Sequence, residues 1–395
     1  MKNILFITWD SDKTNYMENL FFPIFSALQD RGVVSASIFQ FSWASATEVS
    51  RITELAQKQK LGYVHVPISR SLPAALSSTK AILGSRTHLI AYIKSHQIQT
   101  IIARSSMPAL ITLILRKKLR HLGCEIIFDA DGLPIQERLD LGNLKKGSFM
   151  HKILAGIERN MLRESDKVLV RTRLSISWHL SHNSDLNKDK FFQVGNGRDP
   201  ERFYFDLEKR IAMRDALNAK DELILVHSGS LGPGYALDLL FNILGELKSR
   251  GLAFQMFFLC RDPGYLKGLV PDSIKVHVKV LELDYEEVPA YLMAADLGIS
   301  LRLASDSAKG LLPIKIGEYM MSGLPILLSK GIGDMDSLLE DEECSYMIEN
   351  QSIDFEGLNE WMIRIKDLDR SGISSLGNKL FSLNSTLDQY ERALK

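Results

Sequence analysis

The residues best equipped for chemistry lie in one segment, Ala308-Lys309-Gly310-Leu311-Leu312-Pro313-Ile314-Lys315-Ile316-Gly317-Glu318-Tyr319-Met320-Met321-Ser322-Gly323-Leu324-Pro325. Pro313 suits the first turn of a helix, where backbone N–H groups lack partners and the dipole presents its positive end, a setting that attracts phosphate. Lys315 adds a full positive charge there. Glu318, one turn on, is a carboxylate able to accept two hydroxyl protons, which is what holding a ribose requires. Gly323 then stops the helix before the apolar run LPILLS. A lysine and a glutamate three apart on a helix also fit an ordinary surface pair.

Two further segments have suitable residue types. His227-Ser228-Gly229-Ser230-Leu231-Gly232-Pro233-Gly234 follows an apolar run ending at Val226, so the amides around Gly229 and Ser230 can face an anion, although glycine-rich turns often do nothing more than turn. Asp129-Ala130-Asp131 ends the run EIIFDAD; Asp129 or Asp131 there suits accepting a proton from an attacking hydroxyl, or capping the next turn. His179 and His182 stand three apart with no carboxylate or cysteine near them in sequence, which argues against a metal set. Residues 8–15 hold no GxGxxG, and neither a P-loop nor a GxSxG elbow is present, which excludes the dinucleotide, Walker-type and serine-hydrolase signatures.

Elements able to position such residues recur along the chain. Short apolar runs (KNILFIT, VVSASIFQF, YVHVPI, TIIARS, EIIFDADG) alternate with amphipathic, helix-like stretches, and a second series with the same rhythm starts near residue 222. That alternation specifies α/β architecture with parallel sheets covered on both faces. A length of 395 residues suits two or three domains, and 45% hydrophobic with 24% charged residues is ordinary globular composition. The segment VGNGRDPERFYFD is the natural linker. We therefore expect two Rossmann-like domains facing a cleft, residues 1–197 and 198–378, with a terminal amphipathic helix over 379–395 returning to the first. Ligands of such sheets bind beyond the carboxyl ends of the strands.

The formal charge is zero, yet residues 1–198 carry 27 Lys+Arg against 16 Asp+Glu and the remainder carries the opposite excess. The first half should therefore prefer anions or an anionic surface. Its basic stretches are RKKLRH and LKKGSFMHKILAGIERNMLR; in the second, lysines and arginines alternate with Phe149, Met150, Ile153 and Leu154, as in segments that rest on anionic lipid, although an ordinary solvated helix face has the same pattern. Without aromatic interleaving or a binding module, nucleic acid is not an expected partner. Three scattered cysteines, no apolar run of membrane-spanning length and no secretory signal lead us to expect a cytoplasmic protein, associated at most with the inner face of the membrane.

Taken in order, several of these pieces resemble one family. GLLPIKIGEYMMSGLPIL resembles the donor-binding segment of retaining GT-B glycosyltransferases, particularly glycosyltransferase family 4, whose pattern is approximately SPxKxxEYxxxGxPV. VGNGRDPERF resembles the interdomain NGVD segment, LVHSGSLGPGYALD resembles YSGSLG, and VPAYLMAADLGISL resembles VPxYLxxADIGI. ARSSMPALITLIL and IIFDADGLPIQERLD resemble a subgroup carrying FDxRGxxxxE. The ordered match covers about residues 100–330.

The resemblance implies transfer of a sugar from a nucleoside-diphosphate donor to a glycan or lipid-linked acceptor in cell-surface glycan synthesis, with retention at the anomeric carbon and with neither a cofactor nor a required metal. It implies that Lys315 contacts the diphosphate, Glu318 the ribose, and the amides around Gly229, Ser230, Gly310 and Leu311 the phosphates or sugar. Arg261, after the run AFQMFFLC, is placed as a second donor-side cation by position alone. Arg104 and Ser105 fall on the acceptor side, as do Asp129 and Asp131, which we take as the catalytic acids. Asp129-Ala130-Asp131 and Asp10-Ser11-Asp12 also match the DxD of metal-dependent GT-A enzymes, but the two-domain layout places the donor elsewhere. The chain departs from the pattern at Gly310, where many relatives carry a glutamate for the donor sugar, at Leu312 in place of serine, and at Asp131 in place of arginine. The alternatives are a GT-B-fold epimerase of nucleotide sugars and a non-enzymatic two-lobed sugar-binding protein.

Overall fold

In the computed structural model of the chain, all residues are described except 11–15, 70, 72–73, 220, 261 and 350–351. They fall into two compact units, residues 1–194 with 386–395, and residues 195–385. The first contains a parallel sheet of β1 (Lys2–Asp10), β2 (Val34–Ser42), β3 (Gly62–Pro67), β4 (Thr100–Arg104), β5 (Glu125–Asp131), β6 (Lys167–Val170) and β7 (Phe191–Gln193), in the order β3-β2-β1-β4-β5-β6-β7. The second contains β8 (Leu223–Ser228), β9 (Phe254–Leu259), β10 (Val278–Leu281), β11 (Leu297–Ser300), β12 (Ile326–Ser329) and β13 (Ser345–Ile348), in the order β10-β9-β8-β11-β12-β13.

Both sheets are the product of near-continuous apolar runs, which suit strands buried on two faces. In the second unit Leu223 and Leu225 enter one core with Met256, Phe258, Leu297 and Ile299, while Ile224 and Val226 enter another with Phe257, Leu259, Ile326 and Leu328. Successive residues of one strand thus serve opposite layers, the period of two that a strand imposes. In each order the chain leaves a central pair in opposite directions, β1 beside β4 and β8 beside β11. Loops diverge beyond the carboxyl ends of such a pair and leave a crevice there.

The terminal stretch departs from the single helix expected over 379–395. It consists of two helices, Arg370–Phe381 and Leu383–Leu394, separated at Ser382. The backbone of Arg198 enters the break, its N–H donating to Phe381 O at 2.9 Å and its carbonyl accepting from Leu383 N at 2.7 Å. Residues 386–395 pack on the first unit, where Tyr390 is buried, Arg31 pairs with Asp388 (2.7 Å) and Glu391 (2.9 Å), and Lys2 donates to Leu394 O at 2.7 Å. No helix of the described residues is long and apolar enough to cross a membrane.

One close approach fixes the helix Ile314–Met321 against the sheet. The Tyr319 ring lies on Gly298 of β11 so closely that a Cβ there would stand 2.4 Å from Cδ2. The phenol accepts from Ser228 N at 2.8 Å and donates to Ile299 O at 3.3 Å, tying the helix to the ends of β8 and β11. Gly298→Ala should therefore lower the stability of the protein by about 1–3 kcal/mol, as overpacking of a dense core does, read as a fall in the urea-unfolding midpoint.

Candidate functional site

The crevice beyond β8 and β11 gathers most of the chemistry in the second unit. Pro313 is the residue just before the first helical turn rather than within it, and its φ of −66° leads directly into Ile314–Met321. Pro313 offers no side-chain cap to this helix end. Lys315, in the first turn, is half-buried, and its Nζ lies 2.9 Å from Nε2 of the buried His227 at the end of β8. An ammonium has no acceptor to offer, so Nε2 must accept and the ring's proton sits on Nδ1. Burial, then the Lys315 charge, holds the imidazole well below its ordinary pKa, which keeps it neutral. Burial also lowers the pKa of Lys315 itself.

Two more groups complete this corner. Lys315 Nζ stands 4.6 Å from the centroid of the Tyr235 ring, and Arg302 Cζ stands 4.5 Å from the same centroid. Burial favours the protonated phenol, but the Lys315 and Arg302 charges outweigh it and bring Tyr235 below its usual pKa. Among the described residues no carboxylate lies within ion-pair distance of Lys315. Gly229 has φ +95°, a conformation that side chains rarely adopt, and its α-carbon face meets the lysine, with an added Cβ 3.9 Å from Nζ.

Glu318 points to a different set of partners. It is buried, 3.7 Å from Arg198 Nε and 3.5 Å from the Tyr285 hydroxyl, which donates to Oε1. Burial raises its pKa, opposed by the Arg198 and Lys315 charges. Lys315 and Glu318 are therefore not an ordinary surface pair: each is recruited by groups from other elements. Tyr285 in turn lies under Arg202, whose Cζ is 4.7 Å from its ring centroid.

Not every donor-side residue named from sequence keeps a free amide. Leu311 N donates to Ala308 O at 3.1 Å and Gly229 N to Leu259 O at 2.8 Å, so those two N–H groups are engaged within the chain, a correction to their reading as phosphate donors. Gly310 is buried at the end of the short turn Ser307–Gly310, whereas Ser230 is exposed at the crevice. Arg261 lies outside the described residues, as do Ser11 and Asp12.

In the first unit Arg104, Ser105, Asp129 and Asp131 do come together, at the ends of β4 and β5. Asp129 is fully buried and accepts from Arg104 Nη1 at 3.2 Å, Arg171 Nη2 at 2.9 Å and the Asp131 N–H at 3.1 Å. Burial alone would raise its pKa, but Arg171 and Arg104 outweigh it and hold it below the ordinary carboxylate value. A carboxylate enclosed in this way is a poor proton acceptor near neutrality, which argues against Asp129 as the base and leaves it paired with the two arginines. Asp131 keeps solvent access, takes a 2.7 Å bond from Arg104 Nη2 and has φ +60°. Ser105, with φ 67°, precedes the helix Ser106–His121, and its side chain does not cap it. Asp10, at the end of β1, accepts from Thr8 and Gln40, and burial raises its pKa. Among the described residues no three His, Cys, Asp or Glu side chains gather that could hold a metal ion.

Sequence reasoning missed His227 as a partner of Lys315, and also Tyr235, Arg302, Arg198, Tyr285 and Arg171. The signal available for the first was its position at the end of an apolar strand. The others reach the site through loops or strands whose pairing the sequence does not display.

No family model matches the chain, and no curated protein matches it. Solved structures do share the fold. Anabaena HepE in complex with UDP-glucose matches over 100% of this chain and 99% of its own, with a TM-score of 0.70 and 15% identity. WaaG, a glycosyltransferase involved in lipopolysaccharide biosynthesis, matches over 99% of both chains, with a TM-score of 0.70 and 16% identity. A UDP-GlcNAc 2-epimerase from Neisseria meningitidis, bound to UDP-GlcNAc, matches over 99% of both chains with a TM-score of 0.60 and 10% identity. The chain is thus an α/β protein with the two Rossmann-like domains of the GT-B fold.

Proposed function

We propose that the protein is a glycosyltransferase that moves a sugar from a nucleoside-diphosphate donor to an acceptor hydroxyl, with retention at the anomeric carbon as the motif resemblance implies. The observation that carries this is the Lys315 corner: a half-buried ammonium in the first turn of a helix that Pro313 does not cap, set against a neutral imidazole and a phenol and, among the described residues, with no carboxylate at ion-pair distance. Such a site is electrically incomplete until an anion enters it. Glu318, held by Arg198 and Tyr285 one turn away, is suited to take the ribose hydroxyls of the same ligand. HepE, whose fold this chain shares along its whole length, holds UDP-glucose.

In the reaction the acceptor oxygen bonds to the anomeric carbon while the bond from that carbon to the diphosphate breaks, and the acceptor's proton passes to the departing diphosphate oxygen. Lys315 would stabilise the charge growing on the departing diphosphate, the largest contribution expected of preorganised cations. Asp131, the accessible acid beside Arg104 and Ser105, is the group we place nearest the acceptor, and the second unit is the one we assign to the donor. No metal is required on this reading, since protein cations supply the charge. The epimerase alternative is separated by product analysis: incubation of donor without acceptor yields no epimerised sugar.

We place the acceptor on a lipid or growing glycan in cell-surface glycan synthesis, as WaaG's involvement in lipopolysaccharide biosynthesis supports. The first unit's surface fits such a substrate. On the helix Phe149–Glu164 and just before it, Phe149 (79% exposed), Met150 and Ile153 are exposed beside Lys145, Lys146 and Lys152. An anionic bilayer matches both the charge and the apolar tips.

Three outcomes test these readings. By calorimetry, Lys315→Ala should weaken UDP binding about 10- to 100-fold while sparing uridine, and Glu318→Ala should weaken both; unchanged affinity in both variants would remove the basis of the assignment. UDP affinity should also be confined by pH. Glu318 protonates as pH falls through a pKa raised above 4.5, and Lys315 deprotonates as pH rises through one lowered below 10.5, so binding weakens at both limits sooner than free side chains would dictate. Glu318→Gln should remove its share of the acid limb. Finally, the protein should sediment with vesicles containing anionic lipid, and Phe149→Ser with Ile153→Ser should abolish this without changing UDP affinity.

A further inference from the structure

We propose that Arg302 is the second cation of the diphosphate site and that the Tyr235 ring, shared with Lys315, holds it there; the proposal rests on the nucleotide-sugar reading above. The two cations converge on one aromatic face system, at 4.5 and 4.6 Å from its centroid. That places them within about a Debye length of each other, where like charges repel appreciably in a partly buried site. The ring's negative π density offsets part of that repulsion, which is the electrostatic use of a cation–π contact.

The arrangement is built into the backbone. Tyr235 and Arg302 form an isolated antiparallel bridge, flanked by Leu303 N to Gly234 O at 3.0 Å and Ala236 N to Leu301 O at 3.3 Å. Arg302 N also donates to the hydroxyl of Ser329, the last residue of β12, at 2.9 Å. The glycine-rich loop after β8 is thus stitched to the loop after β11 across the point where the sheet order reverses. His227 packs edge-on against Tyr235, with centroids 5.0 Å apart, while accepting from Lys315. Strand ends, loop and helix converge on one consequence, two positive charges held on one aromatic ring.

Chemically, the two are complementary. Lys315 is a point charge, whereas a guanidinium carries five N–H donors in a planar fork suited to phosphate oxygens. Two cations against the two phosphates of a nucleoside diphosphate account for a site of this shape better than one cation against a monophosphate.

The test is calorimetric titration of the full chain with UDP, UMP and uridine. Arg302→Gln should weaken UDP about tenfold or more, weaken UMP less and leave uridine unchanged, and the loss of UDP affinity with added NaCl should become shallower. Tyr235→Phe, which keeps the ring but removes the hydroxyl that Lys315 and Arg302 also reach, should lose part of the UDP affinity, whereas Tyr235→Leu should resemble Arg302→Gln. Arg302→Lys should recover part of the UDP affinity. Unaltered UDP binding in Arg302→Gln, or equal loss of UDP and uridine, overturns the role of Arg302 alone. A wild-type chain that binds neither UDP nor uridine overturns the nucleotide reading and this proposal with it.

Discussion

A partly buried ammonium with no carboxylate at ion-pair distance among the described residues is the constraint around which the second unit is arranged. Desolvation disfavours the charged lysine, and its neighbours are chosen so as not to quench it: the imidazole of His227 is kept neutral, and the Tyr235 ring offers only its π face and hydroxyl. Keeping Lys315 in place requires the helix Ile314–Met321 to hold its angle to the sheet. That is the service of Tyr319, pressed on Gly298 and hydrogen-bonded to the ends of β8 and β11. The packing of an aromatic ring on a glycine and the electrostatics of the crevice are therefore one arrangement.

The first unit treats charge in the opposite way. At the corresponding strand ends, Arg104 and Arg171 surround Asp129 and reach Asp131, so two cations meet two acids within one hydrogen-bonded set. Arg171 and Asp129 are both fully buried, and a buried pair of this kind is costly to break because it leaves an uncompensated charge. Tyr390, from the returning terminal helix, is buried within reach of these charges; burial pushes its phenol up to a pKa of about 12, against the opposing charges of Arg171 and Arg104. The set is self-neutralised and rigid, a scaffold for the edge where Asp131 and Ser105 remain accessible. An internally balanced site can present a neutral hydroxyl; an unbalanced one attracts an anion.

The alternating runs made both sheets legible, because strands buried on two faces are apolar along their whole length, as Leu223–Ser228 shows. The Lys315–Glu318 spacing was legible too, since both lie on one short helix with a proline before it and a glycine after it. What the sequence could not display was pairing across the sheet. Tyr235 and Arg302 are neighbours only because β8 and β11 are, and that adjacency follows from the strand order, not from any local pattern. Asp129 looked like a reactive acid for the same reason: its second arginine follows β6, a strand of only four residues that carries little periodic signal. The break at Ser382 came from the Arg198 backbone, a contact made from far away in the chain.

Charge within the second unit's site is also distributed unevenly along the ligand we infer. At the ribose end Glu318 is surrounded by Arg198, Tyr285 and, through Tyr285, Arg202, so its carboxylate is oriented before a ligand arrives. At the end we assign to the phosphates, Lys315 and Arg302 share one aromatic ring, and among the described residues no carboxylate stands at ion-pair distance from Lys315. At the sugar end, Gly310 is buried and has no side chain, so a carboxylate that would grip sugar hydroxyls is absent from that position. On the nucleotide-sugar reading the binding free energy is thus concentrated on the part common to all such donors, the nucleoside diphosphate. Discrimination among sugars must then arise from contacts other than a carboxylate at residue 310, and the leaving nucleotide is the portion of the substrate the site holds best.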